Sequence, residues 1–353
     1  MVSIAVIGPG LVGREHIKRI LDHSRAELAA VVSPSHGDGE SEFPTGDKTQ
    51  IFNSVEELVD SGMAFDGIMI CSPTQNHFEH LMALRNIANY IFVEKPIFSS
   101  LEDIKISRSE LTEEERRRIL VGHHRRHSSY FGSLHDTIKL GKLGEIRCYS
   151  GHVCFYKPDK YFSDAPWRME PGGGPIFINL IHEVDLMQRL FGPIASVEAM
   201  TSGGEPTGSS LENTCVANLQ HKNGIIGSFV ISDRTTSTMS WERSTGENPA
   251  FPNDGGDYLY IFGAEGSISF PDFKLVYSER PDWTKAVQTE FLVPRSRVIC
   301  DPLQAQIEHF ISICEGTTAH SLVTFEEGIA NQQVCEALKT AAAEARRISV
   351  PDV

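Results

Sequence analysis

Residues Val2 to Ile7 form a β-rich run that stops at Gly8-Pro9-Gly10-Leu11-Val12-Gly13, and an apolar-periodic stretch from about Val12 to Leu21 follows. The order is strand, glycine turn, helix. In a dinucleotide-binding unit the first glycine permits the tight turn, the second lets the backbone approach a pyrophosphate, and the third lets helix and strand pack closely. Phosphates would rest on the helix N-terminus, where free N–H groups and the helix dipole favour negative charge. Glycine turns of this spacing also arise for steric reasons alone. Here the position directly after the first strand points to a nucleotide site.

The alternation continues. Leu28 to Val32 reads as a strand, Ser54-Val55-Glu56-Glu57 as a capping box opening a helix, and Gly67 to Cys71 as a further strand. A helix from about Thr74 to Arg85, a strand Tyr90 to Val93, a helix near Leu101 to Ser107 and a strand Ile119 to Val121 complete the series. Strands separated by helices imply a parallel sheet with crossovers. From about residue 145 to 300 the pattern changes to β-rich runs at Ile146 to Tyr156, Val197 to Met200, Thr214 to Leu219, Ile225 to Ile231, Tyr258 to Phe262 and Ser267 to Phe270, with Asn223-Gly224 as a hairpin signal. Few long helices separate them, so an antiparallel sheet is expected. Leu303 to Cys314 and Phe325 to Arg347 read as closing helices. The expected fold is an α/β Rossmann doubly wound parallel sheet over 1–124, followed by an α+β domain over 125–353 with a large, mainly antiparallel open sheet. The closing helices of the second domain can pack back on the first. A chain of 353 residues is long enough for two such cores.

At the end of the second strand, where an NAD-selective site would place a carboxylate on the ribose 2′-hydroxyl, the chain has Ser33-Pro34-Ser35-His36. Nothing there repels a 2′-phosphate, and Ser33, Ser35 and His36 can donate to one; no Arg or Lys completes the site, although Arg14 lies close by in sequence. The balance leans to NADP; Asp38 keeps NAD open.

Glu94-Lys95-Pro96 stands at the end of a strand, and in open α/β sheets ligands bind at the carboxyl ends of strands. Four elements, in order, resemble the Gfo/Idh/MocA family of oxidoreductases, the glucose–fructose oxidoreductase and inositol dehydrogenase group. They are the glycine turn at 8–13, Cys71-Ser72-Pro73-Thr74 with His77, Glu94-Lys95-Pro96, and Gly172-Gly173-Gly174 followed by His182 and Asp185. The resemblance implies that the glycine turn, the 71–74 segment with His77, and Glu94-Lys95-Pro96 meet the cofactor, with Lys95 near both the nicotinamide and the reacting oxygen. An ammonium group can stabilise negative charge developing on that oxygen, or shuttle a proton if burial lowers its pKa.

The resemblance also implies a catalytic histidine on a helix, matched by His182 in Asn179-Leu180-Ile181-His182-Glu183-Val184-Asp185. The spacing puts Asn179, His182, Asp185 and Arg189 on one helix face, with Leu180, Val184, Met187 and Phe191 on the packing face. Many relatives carry an aspartate four residues before this histidine. Here that position is Ile178, so orientation of His182 would fall to Asn179 or Asp185.

Gly122-His123-His124-Arg125-Arg126-His127 follows the last strand of the first domain. The resemblance brings this junction close to cofactor and substrate, so His123 is a candidate for the cofactor and Arg125 and Arg126 for the substrate; capping of strand and helix ends is the plain alternative. The three histidines have no carboxylate or cysteine at ligand spacing, so no metal is expected. Tyr156, Lys157, Asp159, Lys160, Tyr161, Trp167 and Arg168 form a loop before the triple glycine, suited either to stacking on a sugar ring through Trp167 and Arg168 or to packing.

The implied activity is NAD(P)-dependent hydride transfer on the CH–OH group or carbonyl of a sugar, cyclitol or related polyol. Two alternatives stay open: glycoside cleavage through transient oxidation, and a non-catalytic dinucleotide sensor. A net charge of −15 repels nucleic acid and anionic membranes, and Arg116-Arg117-Arg118 beside Glu113-Glu114-Glu115 reads as one solvated helix face. No run of eighteen apolar residues exists, and the seven scattered cysteines lack any Cys-x-x-Cys pair. A cytoplasmic protein is expected, and a large sheet with one uncovered face predicts a homodimer or homotetramer.

Overall fold

The computed structural model describes residues 1–34, 43–170, 172–203, 211–294 and 301–352. They form two compact units: 1–127 with 303–329, and 128–302 with 330–353. The sequence reading divides the chain at 124/125.

The first unit carries six parallel strands, β1 (Val2–Ile7), β2 (Ala26–Val32), β3 (Gln50–Phe52), β4 (Phe65–Ile70), β5 (Ala88–Val93) and β6 (Ile119–Val121), in the order β3-β2-β1-β4-β5-β6. The expected doubly wound sheet is present. Its strands are almost wholly buried, with apolar clusters on both faces, which is why they read as continuous apolar runs rather than alternations. Strand order reverses direction between β1 and β4, the switch point at which such sheets open a ligand crevice. Of the closing helices, Pro302–Cys314 adds Ile307, Phe310 and Ile311 to the core beneath this sheet.

The second unit holds a nine-stranded sheet: β7 (Ile146–Cys154), β8 (Ile194–Gly203), β9 (Glu212–His221), β10 (Ile226–Ser232), β11 (Leu259–Gly263), β12 (Gly266–Phe270), β13 (Lys274–Tyr277), β14 (Gln288–Phe291) and β15 (Ile348–Ser349). All pairs are antiparallel except β7 with β10. The Asn223-Gly224 turn joins β9 to β10 with Gly224 at φ +91°. Alternate residues such as Cys215, Ala217, Leu219, Phe229 and Ile231 bury into a core shared with the helices Ser129–Lys139 and Ile181–Phe191. The opposite face keeps Asn218, Ile226 and Phe262 exposed around a groove of about 500 Å³.

Several local expectations differ from the structure. Ser54 caps its helix through Glu57 N–H, but the Glu57 carboxylate turns to Asn53 N–H, so the box is half-made there. The full box lies at Thr112 and Glu115, opening the charged helix Glu113–Arg117. Thr74 to Arg85 divides into a 3₁₀ turn, Thr74–Asn76, and a helix, His77–Leu84. Short strands β3, β13 and β14 and the helix Trp241–Thr245 carry too little periodic signal to be separated from loop by sequence alone, whereas the helix Ser129–Lys139, about as amphipathic as the first helix, is readable by its period yet absent from the sequence reading.

Candidate active site

The helix Leu11–Leu21 begins at Gly10, its N-cap, with no side chain capping it and no acidic residue in its first turn. Its orphan N–H groups are left for a ligand. Gly8 sits at φ +87°, and a Cβ there would lie 2.6 Å from Ser72 Cα; a Cβ at Gly13 would lie 2.2 Å from the Gly8 carbonyl oxygen. Both positions therefore require glycine for packing of the turn against itself and against the loop after β4. A Cβ at Gly10 would meet nothing within 4 Å. The backbone there is bare towards open space, flanked by exposed Leu11 and Val12, so this turn fits a dinucleotide pyrophosphate. Arg14 donates from Nε to the Pro9 carbonyl at 2.8 Å and so buttresses the turn. Ser33 is buried just past β2, its N–H on the Phe52 carbonyl; Ser35, His36 and Asp38 lie outside the described residues.

The loops after β4 and β5 are tied together by one buried ring. His77 places Nε2 2.9 Å from the Ser72 carbonyl oxygen and Nδ1 3.0 Å from that of Pro96. Burial pulls its pKa down, against the carbonyls of Ser72 and Pro96. The lowered pKa leaves the ring neutral with one N–H, so His77 donates to one of these two carbonyls and lies against the other, between the two loops. Cys71-Ser72-Pro73-Thr74 leads out of β4, with Ser72 Oγ 2.9 Å from His80 Nδ1. Burial, then the Glu94 charge, pushes the Cys71 thiol far above its ordinary range, so it is no nucleophile.

Lys95 is half-buried at the end of β5, and the Lys95–Pro96 peptide is cis. Its neighbour Glu94 is buried, with Oε1 2.8 Å from His16 Nε2 and Oε2 accepting the Lys95 N–H at 3.1 Å. Burial alone would raise the Glu94 pKa; the His16 hydrogen bond and field, then the Lys95 charge and N–H, outweigh it and hold the carboxyl below its ordinary range. A Cβ at Gly122 would lie 2.8 Å from Glu94 Oε2, so that glycine makes room for the carboxylate. His16 escaped the sequence reading. Its signal is a histidine at 0% exposure in the apolar stripe of the first helix, with Gly13, Ile17 and Ile20.

The histidine-arginine segment is more inward than expected. His123 and Arg125 are each 1% exposed, and Arg126 Nη2 donates to Glu327 Oε1 at 2.5 Å. Arg126 thus forms a mostly buried ion pair with Glu327. His124 is held neutral, its pKa dropped first by burial and then by the charges of Arg125, Lys95, His123 and His127.

In the second unit Ile176–Leu180 forms a π turn that leads into the helix Ile181–Phe191. The wider turn takes Asn179 out of the α register, so the single face expected for Asn179, His182, Asp185 and Arg189 is broken. His182 and Asp185 are buried, as are Val184 and Met187, whereas Arg189 is exposed. Each residue expected to orient His182 has a neighbour of its own: Asn179 Oδ1 accepts from Lys157 Nζ at 2.8 Å, and Asp185 Oδ1 from Asn331 Nδ2 at 2.8 Å. The loop before the triple glycine contains a short helix, Asp159–Ser163, and a 3₁₀ turn, Pro166–Met169. Trp167 is 47% exposed on that turn, so it does not serve as a packing anchor. Arg168 lies over the Tyr161 ring at 3.9 Å and donates to the Tyr161 carbonyl at 2.5 Å. A Cβ at Gly173 would lie 2.3 Å from the Arg168 carbonyl oxygen, which ties the triple glycine to this turn.

Two family models match the chain: an oxidoreductase family with an NAD-binding Rossmann fold over residues 2–123, and the GFO/IDH/MocA C-terminal domain over 131–269. Inositol 2-dehydrogenase of Rhizobium meliloti is 22% identical over 355 residues, covering 99% of each chain. The scyllo-inositol 2-dehydrogenase (NAD(+)) of Bacillus subtilis is 30% identical over 54% of each chain. Among solved structures, the WlbA dehydrogenase of Bordetella pertussis, in complex with NADH and UDP-GlcNAcA, superposes with a TM-score of 0.72 at 20% identity, covering 99% of each chain. An oxidoreductase from Agrobacterium radiobacter, in complex with NAD+, L-tartaric acid and magnesium, gives 0.76 at 19% identity, covering 99% of this chain and 98% of that one.

Proposed function

Because the chain belongs to the Gfo/Idh/MocA family of oxidoreductases, we propose that it transfers a hydride between a nicotinamide dinucleotide and the hydroxyl- or carbonyl-bearing carbon of a sugar, cyclitol or related polyol. The observation that carries this reading is the continuity of three strand ends. The Gly8 turn packs on Ser72, Ser72 is joined through His77 to Pro96, and Lys95 stands beside Pro96. The bare backbone at Gly10 would hold the pyrophosphate, and the 71–74 and 94–96 loops would border the nicotinamide half, with His123 at the same strand ends. When bound, the nicotinamide accepts or gives the hydride. We assign Lys95 the negative charge and proton on the reacting oxygen, with Glu94 and His16 fixing its backbone, and His182 a supporting acid/base part in its own unit. Asn179, Asp185, Trp167 and Arg168 are assigned to the substrate, and Arg125 to support of the segment beside Lys95.

The test follows the absorbance of reduced nicotinamide while purified protein meets NAD or NADP and a polyol panel. Turnover with both cofactors is expected, with kcat/KM higher for NADP because no carboxylate follows Ser33 directly. A silent panel with both cofactors would refute the reading; preference for NAD would refute only the cofactor choice.

We further propose that the open face of the nine-stranded sheet joins two copies of the chain. Ile226 is 54% exposed and Phe262 39% exposed on that face, around the groove lined also by Cys148, Ser150 and Asn218. Ile226→Arg is expected to shift the mass measured by light scattering to that of one chain. An unchanged multimer, or a parent that is already a monomer, counts against this interface.

A further inference from the structure

The roles assigned so far leave unused a charged cluster deep in the second unit. Lys157 is 6% exposed and Asp233, just past β10, is 2% exposed. Lys157 Nζ donates to Asn179 Oδ1 at 2.8 Å and, more weakly, to Asp233 Oδ2 at 3.4 Å. An ammonium has a third N–H, and on its remaining sides Nζ meets the rings of Tyr161 at 5.0 Å and Phe155 at 5.5 Å. Asp233 Oδ1 is buried and accepts no hydrogen bond among the described residues. Arg234, next in the chain, spends its Nη1 on Asp159 and on the Lys157 carbonyl, which anchors the cluster's backbone.

An ion pair kept only for stability closes both carboxylate oxygens, because burying a carboxylate with an unmet lone pair costs several kcal/mol. This pair does not. Desolvation dominates at both ends: burial raises the Asp233 carboxyl against the pull of Lys157, and burial lowers the Lys157 ammonium to about 8 against the pull of Asp233. Asp233 Oδ1 lacks a donor, and the Lys157 hydrogen on Oδ2 is only weakly engaged at 3.4 Å, so the pair complements a sugar or cyclitol hydroxyl pair.

We propose that Lys157 and Asp233 are specificity-determining residues that recognise a vicinal diol, one hydroxyl donating to Asp233 Oδ1 while the neighbouring oxygen accepts from the Lys157 ammonium. The inference rests on the polyol oxidoreductase reading and deepens it. Asn179 then acts as a positioning residue, holding the ammonium in place from the π turn that leads into the His182 helix. Diol binding weakens as pH rises through about 8, when Lys157 loses its proton. The charged and titratable groups around that ammonium are Asp233 beyond β10, Glu242 on the helix Trp241–Thr245, Arg168 on the 3₁₀ turn and Tyr161 on the helix Asp159–Ser163.

The experiment compares the parent with the K157M/D233L double variant, which removes both charges at similar volume. Steady-state kinetics are measured with myo-inositol, scyllo-inositol and a deoxy-inositol, using NAD and NADP, from pH 6 to pH 9, roughly the range spanning the lysine's titration. Expected are a KM for the inositols raised about tenfold or more, a smaller change in kcat, and loss of discrimination against the deoxy compound. The parent's rise in KM at alkaline pH should vanish in the variant. Asp233→Asn, which keeps the volume, is the second variant should the double one fail to fold, and it must raise KM in the same direction. An unchanged KM and unchanged discrimination in a folded variant reduce the cluster to an internal ion pair and overturn the inference. That outcome leaves the polyol reading intact, whereas a parent inert to every probe with both cofactors defeats the two together.

Discussion

Lys95→Met should lower kcat/KM on the best compound of the polyol panel by about a thousandfold, the scale typical of losing a positioned proton-transfer group. Dinucleotide affinity, read by tryptophan fluorescence or calorimetry, should stay within a few-fold. The reasons lie in the local build. Lys95 lies two residues past β5, its N–H is held by Glu94 Oε2, and the His77 ring lies against the Pro96 carbonyl. Removing the ammonium leaves that frame and the Gly10 turn in place, so chemistry falls while cofactor binding persists. Methionine matches the length and lacks the charge. A variant that keeps a tenth of the parent's turnover would show that another group handles the oxygen.

The second large effect is on stability. His16→Leu is expected to cost about 3 to 5 kcal/mol in chemical denaturation at neutral pH, because it leaves the buried Glu94 carboxylate without its principal partner. The pH dependence has a defined sign. In the parent, Glu94 titrates below its ordinary range, so its contribution is present above the unfolded-state carboxylate pKa and is lost as pH falls through the folded-state value. Without His16, burial dominates and drives the carboxyl up, so acidification relieves the variant. The gap between parent and variant should therefore be widest near neutrality and close towards acid. A gap that is constant with pH would mean that His16 contributes packing against Phe92, whose ring lies 5.4 Å away edge-on, rather than charge.

Much of the first unit was legible because its information is local. The Gly8–Gly13 spacing, the apolar strands and the strand-end Glu94-Lys95-Pro96 each express a constraint within a few residues, and the structure returns the two motifs at the ends of β1 and β5, parallel strands on either side of β4. Sequence periodicity was a poorer guide to the segment around His182. It assumes a uniform helix with a solvated side, whereas the π turn at Ile176–Leu180 alters the register and the surrounding unit buries polar and apolar residues alike.

The chain by itself determined where strands end in glycine or charge: backbone conformation and burial periodicity are written in neighbouring positions. Tertiary structure decided what each buried polar group touches. Nothing near His16 in sequence announces Glu94, 78 positions away; nothing near Lys157 announces Asp233, 76 away, and nothing near Arg126 announces Glu327, 201 away. Such pairings follow from the packing of whole elements, because a buried charge takes whichever partner the completed fold brings within hydrogen-bond reach.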